Sequence, residues 1–347
     1  MSEFSGKSAD ATSSGSVSGI GEFGLISALR KRFQESGPDS QLDDELVIVG
    51  VGDDAAVVRT PDGCVAVSTD VLVTGVHFRT DWSPPYEIGR RAAAASLADI
   101  AAMGGRATAL VVALSMPADQ AVSWCLRLAD GLRDEATLVG ARVVGGDIAR
   151  SRELSICVTA LGDLAGRAPV TRAGAREGDV VAVCGRLGFA EAGLAVLSRG
   201  FRSPRALVAA YQHPEPPYAA GIAAARAGAT AMCDVSDGLL ADVGHIARES
   251  KVGIALRGAS FERPEPLQAV AAAYGLDPML WILTGGHDHA LVATFSAGAD
   301  LPAGFELIGE VVARDESIGE DSPVTVDGQA VSGTAFGGAG FSHFNAP

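Results

Sequence analysis

Apolar residues along this chain fall into short runs of two kinds, and the switching between them is the first structural signal. Runs rich in β-branched residues, Leu46–Val51, Ala55–Arg59, Cys64–Ser68, Ala107–Met116, Arg142–Val144 and Leu154–Leu164, are bounded mostly by Asp, Gly or Pro and predict strands. Helical spacing predicts an amphipathic helix from Gly21 to about Phe33 and a long helix over Ala118–Val139. A further helix starts after Pro84-Pro85, runs from Tyr86 to about Met103 and stops at Gly104-Gly105.

A glycine-rich, charged stretch at Gly166–Gly178 precedes a second series. Strands are predicted there at Val180–Cys184, Ala231–Cys233, Val252–Leu256, Ala290–Phe295, Leu307–Val312 and Pro323–Val326, and helices at Phe189–Ser198, Arg205–Ala210, Tyr218–Ala227 and Leu239 to about Ser250. The elements alternate without the even rhythm of a doubly wound sheet, so the pattern predicts an α+β fold with mixed sheets in two domains, divided near residue 165. Residues 1–19, rich in Ser, Gly and Ala, read as a disordered tail, leaving domains at 20–165 and 166–344.

Composition narrows the chemistry. With 347 residues, 48% of them hydrophobic, the chain can build two substantial cores. Its net charge of −15 disfavours nonspecific binding to nucleic acid or to an anionic membrane face. Only Lys7, Lys31 and Lys251 are lysines, and no Walker-type Gly-Lys-Ser/Thr or G-x-G-x-x-G sequence occurs. Phosphate recognition here must therefore use arginine, backbone N–H groups or metal. Five scattered cysteines without a C-x-x-C pair read as buried thiols in a reducing cytoplasm. Nowhere do 18 apolar residues run together, so no membrane span is expected.

Aspartates supply the candidate chemistry. They recur in Gly52-Asp53-Asp54, Ser68-Thr69-Asp70, Leu97-Ala98-Asp99, Gly145-Gly146-Asp147 and Asp234-Val235-Ser236-Asp237-Gly238. Each alone reads equally as a turn or a helix cap. As a set, at the ends of apolar runs, they point to hard oxygen ligands for Mg2+, a cation that shares its shell between carboxylates and substrate phosphates. Asp99 stands out because its neighbours Leu97 and Ile100 are apolar, and a carboxylate in such company needs a partner.

These segments, in this order, with Gly21-Glu22-Phe23, Gly75-Val76-His77-Phe78, Thr171-Arg172-Ala173-Gly174-Ala175 and Ser342-His343-Phe344, resemble the thiamine-monophosphate kinase family of the aminoimidazole-ribotide synthetase-like ATP-binding superfamily. The resemblance implies a homodimer paired through N-terminal domains and ATP-dependent phosphorylation of thiamine monophosphate to thiamine diphosphate, with several Mg2+ ions. It implies metal positions at Asp54, Ser68, Thr69, Asp70, Asp99, Asp147, Asp234 and Asp237. Nucleotide positions fall at Gly146, Asp147, Arg172 and Ser236, and substrate positions at His77, His287 and Phe341. No general base is implied, since the acceptor phosphate is already ionised.

One departure concerns the acceptor. Where the family usually carries Gly-Gly-Glu-Asp, this chain reads Gly285-Gly286-His287-Asp288. Another ATP-dependent synthetase of the superfamily, or a noncatalytic nucleotide or thiamine-phosphate sensor, is the alternative reading.

Overall fold

The computed structural model describes residues 16–34, 46–49, 56–314 and 323–330. The described residues form two compact units: those up to Gly63, Val67–Ser96 and Ala107–Leu161 make the first, and Cys64–Ala66, Leu97–Arg106 and those from Gly162 onward make the second. The stretch Leu97–Arg106 interrupts the first unit as part of the second.

The first unit contains α1 (Val17–Gln34), β1 (Val47–Val49), β2 (Val57–Val58), β3 (Ala66–Val73), most of α2 (Pro85–Ala102), β4 (Arg106–Met116), α3 (Val122–Thr137), β5 (Arg142–Arg150) and β6 (Ser155–Asp163). β1 and β2 form an antiparallel pair, and the larger sheet has the order β3-β6-β4-β5. Helix α1 begins at Val17, inside the stretch expected to be tail, and its backbone breaks from helical geometry at Gly21.

Two strands run further than the local pattern suggests. β3 continues through Thr69 and Asp70 to Val73, because Val71-Leu72-Val73 extend the same alternation of half-buried and exposed positions. β5 carries Gly145-Gly146-Asp147 within the strand rather than in a turn. Its parallel pairing with β4 sets Val112 against Gly146 and Ala113 against Asp147. A Cβ at Gly146 would lie 2.0 Å from the Val112 carbonyl oxygen, so the close approach of the two strands itself demands glycine.

The second unit contains β7 (Val180–Cys184), α4 (Phe189–Ser198), α5 (Arg205–Gln212), α6 (Tyr218–Arg226), β8 (Ala231–Val235), α7 (Leu239–Ser250), β9 (Gly253–Leu256), α8 (Glu265–Tyr274), α9 (Pro278–Thr284), β10 (Ala290–Phe295), β11 (Glu306–Val312), β12 (Val324–Val326) and β13 (Gln329–Ala330). The sheet order is β13-β12-β9-β11-β7-β10-β8, antiparallel except where β12 runs parallel to β9. β8 and β10 are buried at every position, including Asp234 of β8 and Thr294 of β10. Phe295 and Phe305 meet edge to face there, with ring centroids 5.5 Å apart.

The two units together are α+β with mixed sheets, as the pattern predicts. Among the described residues, no helix is long and apolar enough to cross a membrane. All five cysteines are free, but only Cys125, Cys184 and Cys233 are buried; Cys64 is exposed and Cys157 half-buried.

Candidate active site

In the first unit, β3 decides which residues can act together. Successive side chains in a strand point to opposite faces, and Ser68, Asp70 and Leu72 share one face while Val67, Thr69 and Val71 take the other. Ser68-Thr69-Asp70 therefore cannot present three side chains to one ion. The Thr69 hydroxyl instead lies 3.0 Å from Thr159 Oγ1 and donates to the Val158 carbonyl at 3.2 Å, on β6. Asp70 is oriented from α2, where the buried Ser96 hydroxyl approaches its Oδ2 at 3.1 Å. Asp99, half-buried, follows on the same helix in the stretch Leu97–Arg106 that belongs to the second unit.

His77 follows β3 in a tight turn. Its Nδ1 accepts the Val73 backbone N–H at 3.0 Å, and its own N–H donates to the Val73 carbonyl at 2.9 Å. With Nδ1 accepting, the neutral ring carries its proton on Nε2. On β5, Gly146 and Asp147 are exposed. Gly145 through Ile148 border an apolar cavity of about 110 Å3, whose other walls include Ile26, Leu29, Cys125 and Ala129.

The second unit gathers the remaining candidates around the end of β8. Asp234 is its penultimate residue, and the turn Ser236-Asp237-Gly238 leads into α7. At Gly238, φ is 119°, and a Cβ would come within 2.4 Å of the Thr284 carbonyl oxygen. The loop Gly285–His289 lies along this turn. His287 N–H donates to the Ser236 carbonyl at 2.9 Å, and His289 N–H to the Val235 carbonyl at 3.0 Å. His289 Nδ1 sits 3.0 Å from Asp234 Oδ2, with both side chains buried. Ser236 and His287, 51 positions apart in the chain, are thereby neighbours.

Asp242, on the first turn of α7, is a functional candidate that the motif reading missed. Its Oδ2 accepts the backbone N–H groups of both Asp237 and Gly238 at 3.1 Å, fixing the turn from beneath. Burial, then the charges of Asp234 and Asp237, push its carboxyl up to about 8. Ligand atoms of Asp237, Asp242 and His245 all lie within 4.8 Å of one another. Two carboxylates and an imidazole gathered in so small a volume suit a divalent cation, and the oxygen donors of Asp237 and Asp242 fit Mg2+.

Arg172 is exposed, but its carbonyl is held by Ser250 Oγ at 2.8 Å, and its charge helps lower the His245 imidazole after burial and Arg248. It therefore belongs to the same neighbourhood as Asp237.

Asp288, also outside the expected set, is buried, and its Oδ1 accepts the Ala190 N–H at 2.9 Å at the start of α4. Its Oδ2 has no hydrogen-bond partner among the described residues. Burial lifts this carboxyl to about 7 against the lowering effects of backbone N–H groups and Arg186. Asp242, one turn into a helix, carries no local mark of such a role, whereas Asp288 closes the Gly285-Gly286-His287-Asp288 segment and could have been singled out there. Asp54 and Phe341 lie outside the described residues.

A two-unit chain with carboxylates at the ends and faces of its strands defines a class, and sequence models identify it. Residues 52–164 match the AIR synthase related protein N-terminal domain, and residues 176–321 the corresponding C-terminal domain. A thiamine-monophosphate kinase of Mycobacterium tuberculosis is 45% identical over 341 residues, covering 97% of this chain and 96% of the relative. Among solved structures, the Stenotrophomonas maltophilia thiamine-monophosphate kinase superposes with a TM-score of 0.75 at 31% identity, covering 88% of this chain and 96% of that one. AaThiL complexed with AMPPCP and TMP superposes with a TM-score of 0.74 at 30% identity, covering 94% and 98%. The chain belongs to the thiamine-monophosphate kinase family, within the AIR synthase related proteins.

Proposed function

We propose that this protein transfers the γ-phosphoryl group of ATP directly to the phosphate of thiamine monophosphate, giving thiamine diphosphate and ADP. Its relatives are kinases of this name, and one was solved with AMPPCP, an ATP analogue, and TMP. The observation that carries the reading is the lacing of Gly285–His289 onto Asp234–Gly238. Hydrogen bonds thus bring together His287, Ser236, Asp234 and Asp237, the residues that this reading assigns to the acceptor, the nucleotide and the metal.

The acceptor phosphate is already a nucleophile, so alignment and charge neutralisation are the tasks left to the protein. Asp54, Ser68, Asp70, Asp99, Asp147, Asp234 and Asp237 are the residues that would hold Mg2+. Thr69 contributes through its main chain, since its side chain is turned to β6. Bound Mg2+ supplies neutralisation of the phosphate oxygens and polarisation of the phosphoryl group. Gly146 admits the nucleotide close to the β5 backbone, Arg172 and Ser236 contact its phosphates, and the apolar cavity beside Gly145–Ile148 suits the flat nucleobase. On the acceptor side, His77 offers Nε2–H as a donor, His287 replaces the family's usual glutamate with an imidazole, and Phe341 offers a stacking surface.

We read the protein further as a cytoplasmic homodimer. Its free cysteines favour a reducing compartment. β3 is an edge strand whose outer face exposes Val67 and Val71, at 59% and 49%, the kind of apolar edge that pairs with another copy.

The test is ADP release in a coupled assay with thiamine monophosphate, aminoimidazole precursors, selenide or no acceptor. Turnover specific to thiamine monophosphate is expected. Equal turnover without acceptor, or none under any condition, would refute the reading.

A further inference from the structure

We propose that His289 is a positioning residue for the divalent cation read at Asp234: its imidazole holds Oδ2 of that carboxylate and leaves Oδ1 as the metal-facing atom. This rests on the reading of Asp234 as a cation ligand, and it concerns a residue that none of the aspartate motifs contains.

The geometry is fixed from the main chain outward. β10 pairs with β8 so that Leu291 lies opposite Asp234 and Ala290 opposite Val235. One residue earlier, the His289 N–H still donates to the Val235 carbonyl. There the backbone turns into the left-handed region, with φ at 52°, after His287 at 67°. Side-chain-bearing residues are uncommon in that region, and such conformations persist where the surroundings over-determine them. Its consequence is to aim the imidazole at Asp234, with Nδ1 3.0 Å from Oδ2 and side-chain exposures of 8% and 3%.

A carboxylate has no proton to give, so the ring donates and Nδ1 carries the hydrogen. A buried donor on one oxygen removes the freedom of Asp234 to rotate into a two-oxygen grip. Outer contacts of this kind orient metal ligands, and their loss typically weakens metal binding 10- to 100-fold.

The experiment compares the full-length wild-type protein with His289→Asn, His289→Phe, His289→Gly and Asp234→Asn. Mn2+ is titrated by electron paramagnetic resonance in the presence of a nonhydrolysable ATP analogue, and melting temperature is recorded in parallel. His289→Asn keeps a donor near the Nδ1 position and tolerates positive φ. His289→Phe fills the space without a donor, and His289→Gly relieves the backbone without one. Asp234→Asn should weaken one class of Mn2+ site at least tenfold. His289→Phe and His289→Gly should weaken the same class about 10- to 100-fold, while His289→Asn stays within about threefold of wild type.

Unchanged Mn2+ affinity in a folded donor-less variant overturns the proposal. So does failure of both donor-less variants to fold, which would make the pair a weld between strands. Unchanged Mn2+ binding in Asp234→Asn refutes the cation reading itself, a result distinguishable from either of these.

Discussion

Ser96 on α2 holds Asp70 on β3: its hydroxyl lies 3.1 Å from Asp70 Oδ2 and 2.9 Å from the Val158 carbonyl of β6. Ser96 is fully buried, and both neighbours are acceptors, so one proton is shared between a candidate ligand and a sheet backbone. Ser96→Ala leaves the carboxylate without this anchor. We expect a loss of about 1 kcal/mol of stability and an increase in the Mg2+ concentration for half-maximal activity of about tenfold. Thermal denaturation and a Mg2+ titration of ADP release measure the two effects, and an unaltered Mg2+ requirement would remove Asp70 from the metal site.

His287, proposed to face the acceptor, has its backbone tied to Ser236. His287→Ala should raise KM for thiamine monophosphate about tenfold, the equivalent of one hydrogen bond worth about 1.4 kcal/mol. KM for ATP should change little. A fall in kcat with KM intact would assign the ring to phosphoryl transfer instead.

Asp288 gives the apo protein a specific pH dependence. Burial raises its carboxyl to about 7, so across mildly acidic pH the folded protein holds a proton that the unfolded chain has released. Its contribution to stability is therefore full at pH values below the ordinary carboxylate range and is lost as pH rises through 7. Asn imitates the neutral acid without titrating. The stability of wild type relative to Asp288→Asn should fall by on the order of 2 kcal/mol between pH 5.5 and pH 8. Denaturant melts of both proteins at the two pH values decide this, and a constant difference would contradict it.

Assembly is testable on β3. Val67→Lys with Val71→Lys places two charges on the exposed face of an edge strand. Lysines there should block edge pairing and convert the proposed dimer to a monomer in light scattering at micromolar concentration, while the melting transition remains cooperative. A wild-type protein that is already monomeric would refute the dimer.

Several element boundaries were legible because local chemistry repeats there. Val180–Cys184, Phe189–Ser198, Leu239–Ser250 and Ala290–Phe295 fall where continuous apolar runs or helical spacing predict them. Where elements were missed, turn residues concealed them. Pro264 and Pro266 mark the start of α8 rather than a loop, and Asp277 caps α9 through the Met279 N–H.

By itself, the sequence determined the α+β class, the family and the residue types of an acidic, lysine-poor candidate site, because these follow from periodicity, composition and short motifs. Only the tertiary structure decided how those residues are used. Strand pleating turned the Thr69 side chain away from Ser68 and Asp70, and the close approach of β4 put Gly146 inside a strand. Sheet pairing brought His289 to Asp234 across 55 positions, and the packing of α4 brought Ala190 to Asp288 across 98. Such contacts depend on strand register and burial, which arise from the pairing of distant segments and leave no periodic trace in either segment alone.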